Sequence, residues 1–151
     1  MKTKTALMLE LWIEARTRLT KLLPLIKPED VGKKLGDSPN TIGFLIRHIG
    51  EVELLFAKNV FGSTDVKVIA KTVIAQKDSG EWTDLPELLQ YVDESFSALH
   101  KIVSAQSDED WETIVTTKEF GSKTKAEAFG RIVSHTSYHA GQLALCVIYG
   151  R

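Results

Sequence analysis

Four stretches of the chain repeat apolar residues at spacings of three and four, the pattern of helices that bury one face. The first covers Lys4–Ile26, with Leu7, Leu11, Ala15, Leu19, Leu22 and Ile26 on its stripe. Pro24 weakens its last turn and Pro28 helps end it. Lys27–Asp37 is then a connection broken by Pro28, Gly32 and Gly36. The second helix opens at Asp37-Ser38-Pro39, where Ser38 can cap and Pro39 suits the first helical position, and it runs to about Phe61 before Gly62 stops it. Its stripe is Thr41, Leu45, His48, Val52 and Leu55, with Phe44 and Glu51 on the border. The third starts at Asp84, with Glu87 as capping-box partner and Pro86 in the first turn, and ends near Ser104–Ser107. Leu88, Leu89, Val92, Phe96, Leu99 and Val103 form its buried face. Thr124 and Glu127 cap the fourth, which Gly150 ends. Its stripe is Ala128, Ile132, His135, His139, Gln142, Cys146 and Tyr149.

Two connections carry patterns of their own. Residues 62–83 are long for a bundle loop, and Val66–Ala75 is apolar enough to pack as an extended segment or a short helix. In Trp111–Lys123 the β-branched run Thr113–Thr117 and the turn Gly121-Ser122 predict a short hairpin or extended lid. The expected fold is all-α: a four-helix bundle forming a single domain over 1–151. The link after the second helix is long enough for a crossover that would set helices two and three parallel, and the pattern leaves the direction open.

Composition narrows the functional classes. With 43% hydrophobic and 26% charged residues the chain reads as a soluble globular protein. Nineteen basic residues against 20 acidic ones give a net charge of −1, and no basic run appears, so no nucleic-acid partner is expected. Cys146 stands alone, which excludes an internal disulfide and disfavours cysteine-based zinc sites. Glu10 and Glu14 interrupt the N-terminal apolar run, so it is not a signal peptide. No apolar segment reaches the roughly 18 residues of a membrane span, so no membrane partner is expected either. The expected location is cytoplasmic.

The chemistry lies on the fourth stripe. An ordinary core would put Leu, Ile or Val at its middle, where this helix has His135, His139 and Gln142. Burying a polar group without a partner costs about 1–3 kcal/mol. Two imidazoles at i and i+4 point to the same place, and a divalent ion would satisfy both. His48, mid-way along another apolar stripe, is the natural third ligand. Three imidazoles with one position left open suit a catalytic rather than a structural metal. The bland alternative is three hydrogen-bonded core histidines with no ion. Glu51, one turn from His48, is a candidate partner for an imidazole N–H or a general base, or simply a solvated carboxylate. Gln142 could orient a ligand, a bound water or a cofactor, or cap a neighbouring backbone group. His100 is read as a border histidine, and the three tryptophans as packing. Cys146 lies about 10 Å beyond His139 by helical rise and is kept off the metal. The pair reads His-Thr-Ser-Tyr-His, so the glutamate of a metalloprotease helix is missing. There is no phosphate-binding loop, dinucleotide fingerprint or nucleophile elbow, and no Glu-x-x-His pair on a core face.

On these residues the chain resembles the DinB-like (DinB/YfiT-like) metalloenzyme family. Ser38–Ile49 looks like the family's first-ligand helix, and His135-Thr136-Ser137-Tyr138-His139-Ala140-Gly141-Gln142 looks like its H-x-x-x-H-x-G-Q signature. The resemblance implies an up-down-down-up bundle and a metal held by His48, His135 and His139. Zinc, nickel and iron are not distinguishable, because imidazole suits several ions. It also implies a small-molecule substrate, a low-molecular-weight thiol cofactor such as those of the family's S-transferases, and a homodimer through helix faces.

Three functions compete at this point. The first is a metal-dependent transferase whose ion activates a small thiol, which fits the lack of a catalytic cysteine. The second is a metal-dependent hydrolase of a small molecule, with Glu51 as its base. The third is a non-enzymatic, stress-related metal-binding or interaction protein.

Overall fold

The computed structural model describes residues 1–151. In chain order the elements are α1 (Lys4–Thr20), α2 (Ile42–Asn59), the short α3 (Lys71–Ala75), α4 (Leu85–Ser104), a hairpin of β1 (Ile114–Thr117) and β2 (Gly121–Thr124), and α5 (Lys125–Tyr149). The hairpin is antiparallel, with Ile114 opposite Thr124 and Thr117 opposite Gly121. Each long helix lies along two others: α2 along α4 and α5, and α1 along α5 and α4. No helix is long and apolar enough to cross a membrane.

Local chemistry moves several helix ends from where the pattern put them. α1 stops at Thr20, and Pro24 sits instead in a separate 3-10 turn, Leu23–Leu25. Its buried face is Thr5, Trp12, Arg16 and Leu19, whereas Leu7 and Leu11 are 53% and 59% exposed. The expected stripe is thus rotated, because the large Trp12 ring takes the core. α2 begins at Ile42 rather than Pro39. Thr41 is the cap, its Oγ1 accepting from Phe44 N at 3.2 Å, while Ser38 Oγ accepts from Asn40 N in the preceding loop. α2 also ends at Asn59, short of Phe61. The capping boxes drawn at Asp84 and Thr124 do mark helix starts, and at Thr124 the exchange with Glu127 is reciprocal. On α5 the buried stripe stops at Cys146, leaving Tyr149 exposed.

α2 approaches α4 and the connection before it closely because it carries glycine at both contacts. A Cβ on Gly43 would lie 1.9 Å from the Trp82 carbonyl oxygen, and one on Gly50 would lie 2.8 Å from the Tyr91 ring. Neither position accepts a side chain unless its neighbour moves.

The core is split in two. One apolar cluster gathers Leu19, Leu45, Ile49, Leu88, Val92 and Leu143; the other gathers Trp12, Phe56, Leu99, Trp111, Phe129 and Ile132. Polar residues from all four long helices interrupt this apolar interior. Arg16 comes from α1, His48, Glu51 and Glu53 from α2, Ser95 from α4, and His135, Thr136 and His139 from α5.

One part of this polar set is an ion pair. Arg16 Nη2 donates to Glu53 Oε1 at 2.9 Å and to the Val92 carbonyl at 3.2 Å, and its guanidinium lies over the Phe96 ring. Three helices are therefore joined through one side chain. Glu53 Oε2 has no donor, and burial raises the carboxyl from its ordinary 4.5 to about 7, with Arg16 pulling the other way. A carboxyl raised in the folded state is most stabilising below its unfolded value, and that stability is lost as pH rises through the folded value. Wild-type stability in urea should therefore fall by about 1–3 kcal/mol between pH 4.5 and 8 relative to Glu53→Gln, which lacks the titration. Parallel pH profiles for the two proteins would show that Glu53 does not carry it.

Candidate metal centre

His48 sits on the second turn of α2, His135 and His139 one turn apart on α5, and the packing of α2 along α5 brings the three rings together. Ring centroids are 5.0 Å apart for His48 and His135, 4.8 Å for His48 and His139, and 4.4 Å for His135 and His139. One ring nitrogen from each lies within 4.8 Å of those of the other two, and no carboxylate or thiol joins the group.

The hydrogen bonds behind the rings set their tautomers. The buried Thr72 of α3 gives its hydroxyl proton to Glu51 Oε2, and its backbone N–H donates to the same oxygen at 2.9 Å. Thr72 Oγ1 is then an acceptor toward His48 Nδ1, 3.0 Å away, so Nδ1 carries the proton and Nε2 is bare. His139 Nδ1 donates to Gln142 Oε1 at 2.6 Å, which bares its Nε2 in the same way. His48 Nε2 faces His135 Nε2 at 3.1 Å, while the buried His135 Nδ1 has no partner at all.

The electrostatics keep these rings uncharged. Burial, then the neighbouring His139, lowers His48 to about 4. Burial, followed by His139, His48 and Arg131, lowers His135 to about 3. Burial also lowers His139, with the Gln142 bond opposing it. Neutral imidazoles with bare ring nitrogens are the form that ligates a metal. His48 Nε2 and His139 Nε2 are bare, and His135 Nε2 lies 3.1 Å from His48 Nε2, so three ring nitrogens converge and the donor set fits a divalent ion.

Glu51 lies in the site but behind it. It is fully buried; Oε1 accepts from Arg47 Nε at 3.0 Å and Oε2 is taken by Thr72. Arg47 is itself held over the Tyr91 and Trp82 rings. The chain Arg47–Glu51–Thr72–His48 thus fixes a ring from α2 through a residue of the 62–83 connection. Nothing in the periodicity of Val66–Ala75 marks Thr72, because its role depends on a contact across 24 residues of sequence. His100 stacks near Trp12 and bonds Ser104 Oγ, away from the other three histidines. Cys146 is buried and free, in the apolar cluster next to Leu143.

The group opens outward beside His135 into a cavity of about 680 Å³. Val52 and Phe56 form an apolar wall, Ser134, Ser137 and Tyr138 a hydroxyl-bearing one, and the ion pair of Arg131 with Glu119 closes the rim at 3.2 Å. Phe120 of the hairpin turn sits against both Phe56 and Arg131.

Comparison with known proteins places this geometry in a family. The model of the DinB superfamily matches residues 11–143, and the chain belongs to that superfamily. Among solved structures, the chain is similar to a histidine-to-alanine mutant of a mycothiol-dependent maleylpyruvate isomerase, with a TM-score of 0.74 and 17% identity. That likeness, which covers 95% of this chain and 63% of the other, shows a shared fold. No curated protein matches the chain.

Removing the Thr72 hydroxyl leaves Glu51 Oε2 with only the Thr72 backbone N–H and takes away the partner of His48 Nδ1. Thr72→Val should cost about 1–3 kcal/mol in urea unfolding, with Thr72→Ser much closer to wild type. In nitrogen NMR of the metal-free protein, His48 should lose its single tautomer in Thr72→Val and keep it in Thr72→Ser. An unchanged His48 signature in Thr72→Val would show that another group sets the ring.

Proposed function

We propose that this chain is a metal-dependent enzyme in which His48, His135 and His139 hold one divalent ion and a low-molecular-weight thiol reacts there with an electrophile. The observation that carries this is the convergence of three neutral imidazoles, from two helices, beside an open cavity. A ligand set of three leaves room for an exogenous group, which a closed structural site would not. The thiol is favoured because the solved relative is named as mycothiol-dependent and because this chain offers no cysteine at the site. When bound, the ion would supply Lewis acidity that lowers the pKa of a thiol placed on it.

The chain's own residues do the rest. Thr72 and Gln142 hold the His48 and His139 rings with their Nδ1 protons turned away from the site. Val52 and Phe56 shelter the apolar part of a substrate, and Ser134, Ser137 and Tyr138 offer hydroxyls to its polar atoms. Glu51 is a positioning residue in this reading. The hydrolase alternative needs it as a base, and its burial and its bonds to Arg47 and Thr72 keep it from a substrate.

The up-down-down-up order belongs to the same proposal. Its supports are contacts: Thr5 of α1 bonds the Gln106 carbonyl just after α4, and Arg16 reaches Val92 further back along α4, so α1 and α4 oppose each other. The backbones of Lys34 and Arg151 bond where the approach to α2 meets the end of α5, so α2 and α5 oppose each other as well. The whole chain acts as one domain in this reading.

Protein purified without a histidine tag should carry one divalent ion per chain by elemental analysis. Any one of His48→Ala, His135→Ala or His139→Ala should lower metal affinity at least a hundredfold, and Glu51→Gln about 10- to 100-fold, the range for a group behind a ligand. Cobalt-loaded protein should develop a sulfur-to-metal charge-transfer band when a small thiol is added. A protein that binds no ion, or a cobalt form blind to every thiol, would overturn the reading.

A further inference from the structure

A second cavity, also of about 680 Å³, lies between the C-terminal half of α2 and the hairpin. It shares two residues with the cavity beside His135: Phe56 and Glu119 line both. The two spaces therefore adjoin along the Phe56 side of α2, and a single elongated molecule could occupy both.

Their linings differ in kind. The first offers apolar surface and hydroxyls close to the histidines. The second is lined at its far side by Lys58 and Asn59 from the end of α2 and by Thr116, Thr117 and Lys118 from the hairpin. Lys58 and Lys118 both line this cavity, and neither forms an ion pair or a side-chain hydrogen bond. The single acidic residue of the lining, Glu119, is already engaged by Arg131 from the first cavity. A chain of net charge −1 thus keeps two uncompensated cations facing one cavity. Two amines beside an amide and two hydroxyls suit an oxyanion, and Leu55, Val60 and Val73 complete the lining with apolar surface.

We propose that this second cavity binds the carboxylate end of an elongated organic acid whose reacting end lies at the histidines. The inference rests on the proposed function for the reacting end alone; the anion pocket stands on its own lining. Lys58 follows His48 by ten residues on the same helix, a rise of about 15 Å. The molecule is accordingly a chain rather than a compact acid: its middle passes Phe56, and its carboxylate reaches Lys58 and Lys118. Arg131 and Glu119 sit at the junction, where their ion pair borders the passage.

The test uses two arms with the full-length protein. In the first, cobalt-loaded protein is titrated with ω-mercaptoalkanoates from propionate to dodecanoate and with the matching mercaptoalcohols. In the second, metal-free protein is titrated calorimetrically with the plain alkanoates and alcohols. Long acids should bind at least tenfold more tightly than long alcohols in both arms at low salt, and short acids should show no such preference. Added salt should erode the preference, as for a partly exposed charge contact. Lys58→Gln/Lys118→Gln should reduce the preference to within twofold while leaving the thermal melt and the binding of short thiols unchanged, because neither lysine holds another group. Equal binding of acids and alcohols, or a preference that survives the double variant, would overturn the proposal. If the cobalt band appears with every thiol and the acid preference does not, the anion pocket is wrong and the metal–thiol reading stands. If no thiol gives a band but the plain acids bind through the lysines, the pocket stands and the metal–thiol reading is wrong.

Discussion

The polar set inside the bundle is the constraint around which this structure is arranged. A bundle of this size would be simpler with a continuous apolar core, yet each long helix places at least one interior polar group that needs a partner. α2 bears most of that demand, because it is covered by α1, α3, α4 and α5 and still carries His48, Glu51 and Glu53. Glu53 is met by Arg16 from α1. Glu51 is met by Arg47 and by Thr72 from the connection. The imidazoles are met only in part, by Thr72 and Gln142 on their outer nitrogens. Every partner supplied by the protein pulls a ring nitrogen's proton away from the centre. What is left at the centre is a set of neutral ring nitrogens turned toward one another, an arrangement suited to a metal.

The sequence carried the helices and the histidines because both depend on local spacing. Two rings at i and i+4 on one apolar stripe share a face whatever the rest of the chain does. His48 could be joined to them because it interrupts a second stripe at a similar depth. The stripe of α1 holds at Leu19 but not at Leu7 and Leu11, because Trp12 and Arg16 claim the interior instead. A regular stripe indicates that a helix has a buried face, and the largest ring or the best-paired ion decides which face it is. Glu51 was visible as a neighbour of His48, but its connection was not. The intervening hydroxyl comes from a five-residue helix whose sequence has no period to read. The cavities were equally invisible, since their walls come from the end of α2, the hairpin turn and the outer side of α5.

That division between helix and connection bears on how function attaches to this fold. The three imidazoles lie on long helices, where position is fixed by the packing of the bundle. The groups that would choose a substrate lie largely elsewhere: Lys118, Glu119 and Phe120 on the hairpin turn, and Val73 on α3. Connections tolerate change far better than packed helices do. A relative that shares 17% of its residues can therefore share the bundle almost entirely while its cavities differ. For the same reason, the relative's substrate says little about this chain's. The choice of substrate has to be read from the lining that this sequence builds, in which Lys58 and Lys118 are the cationic part.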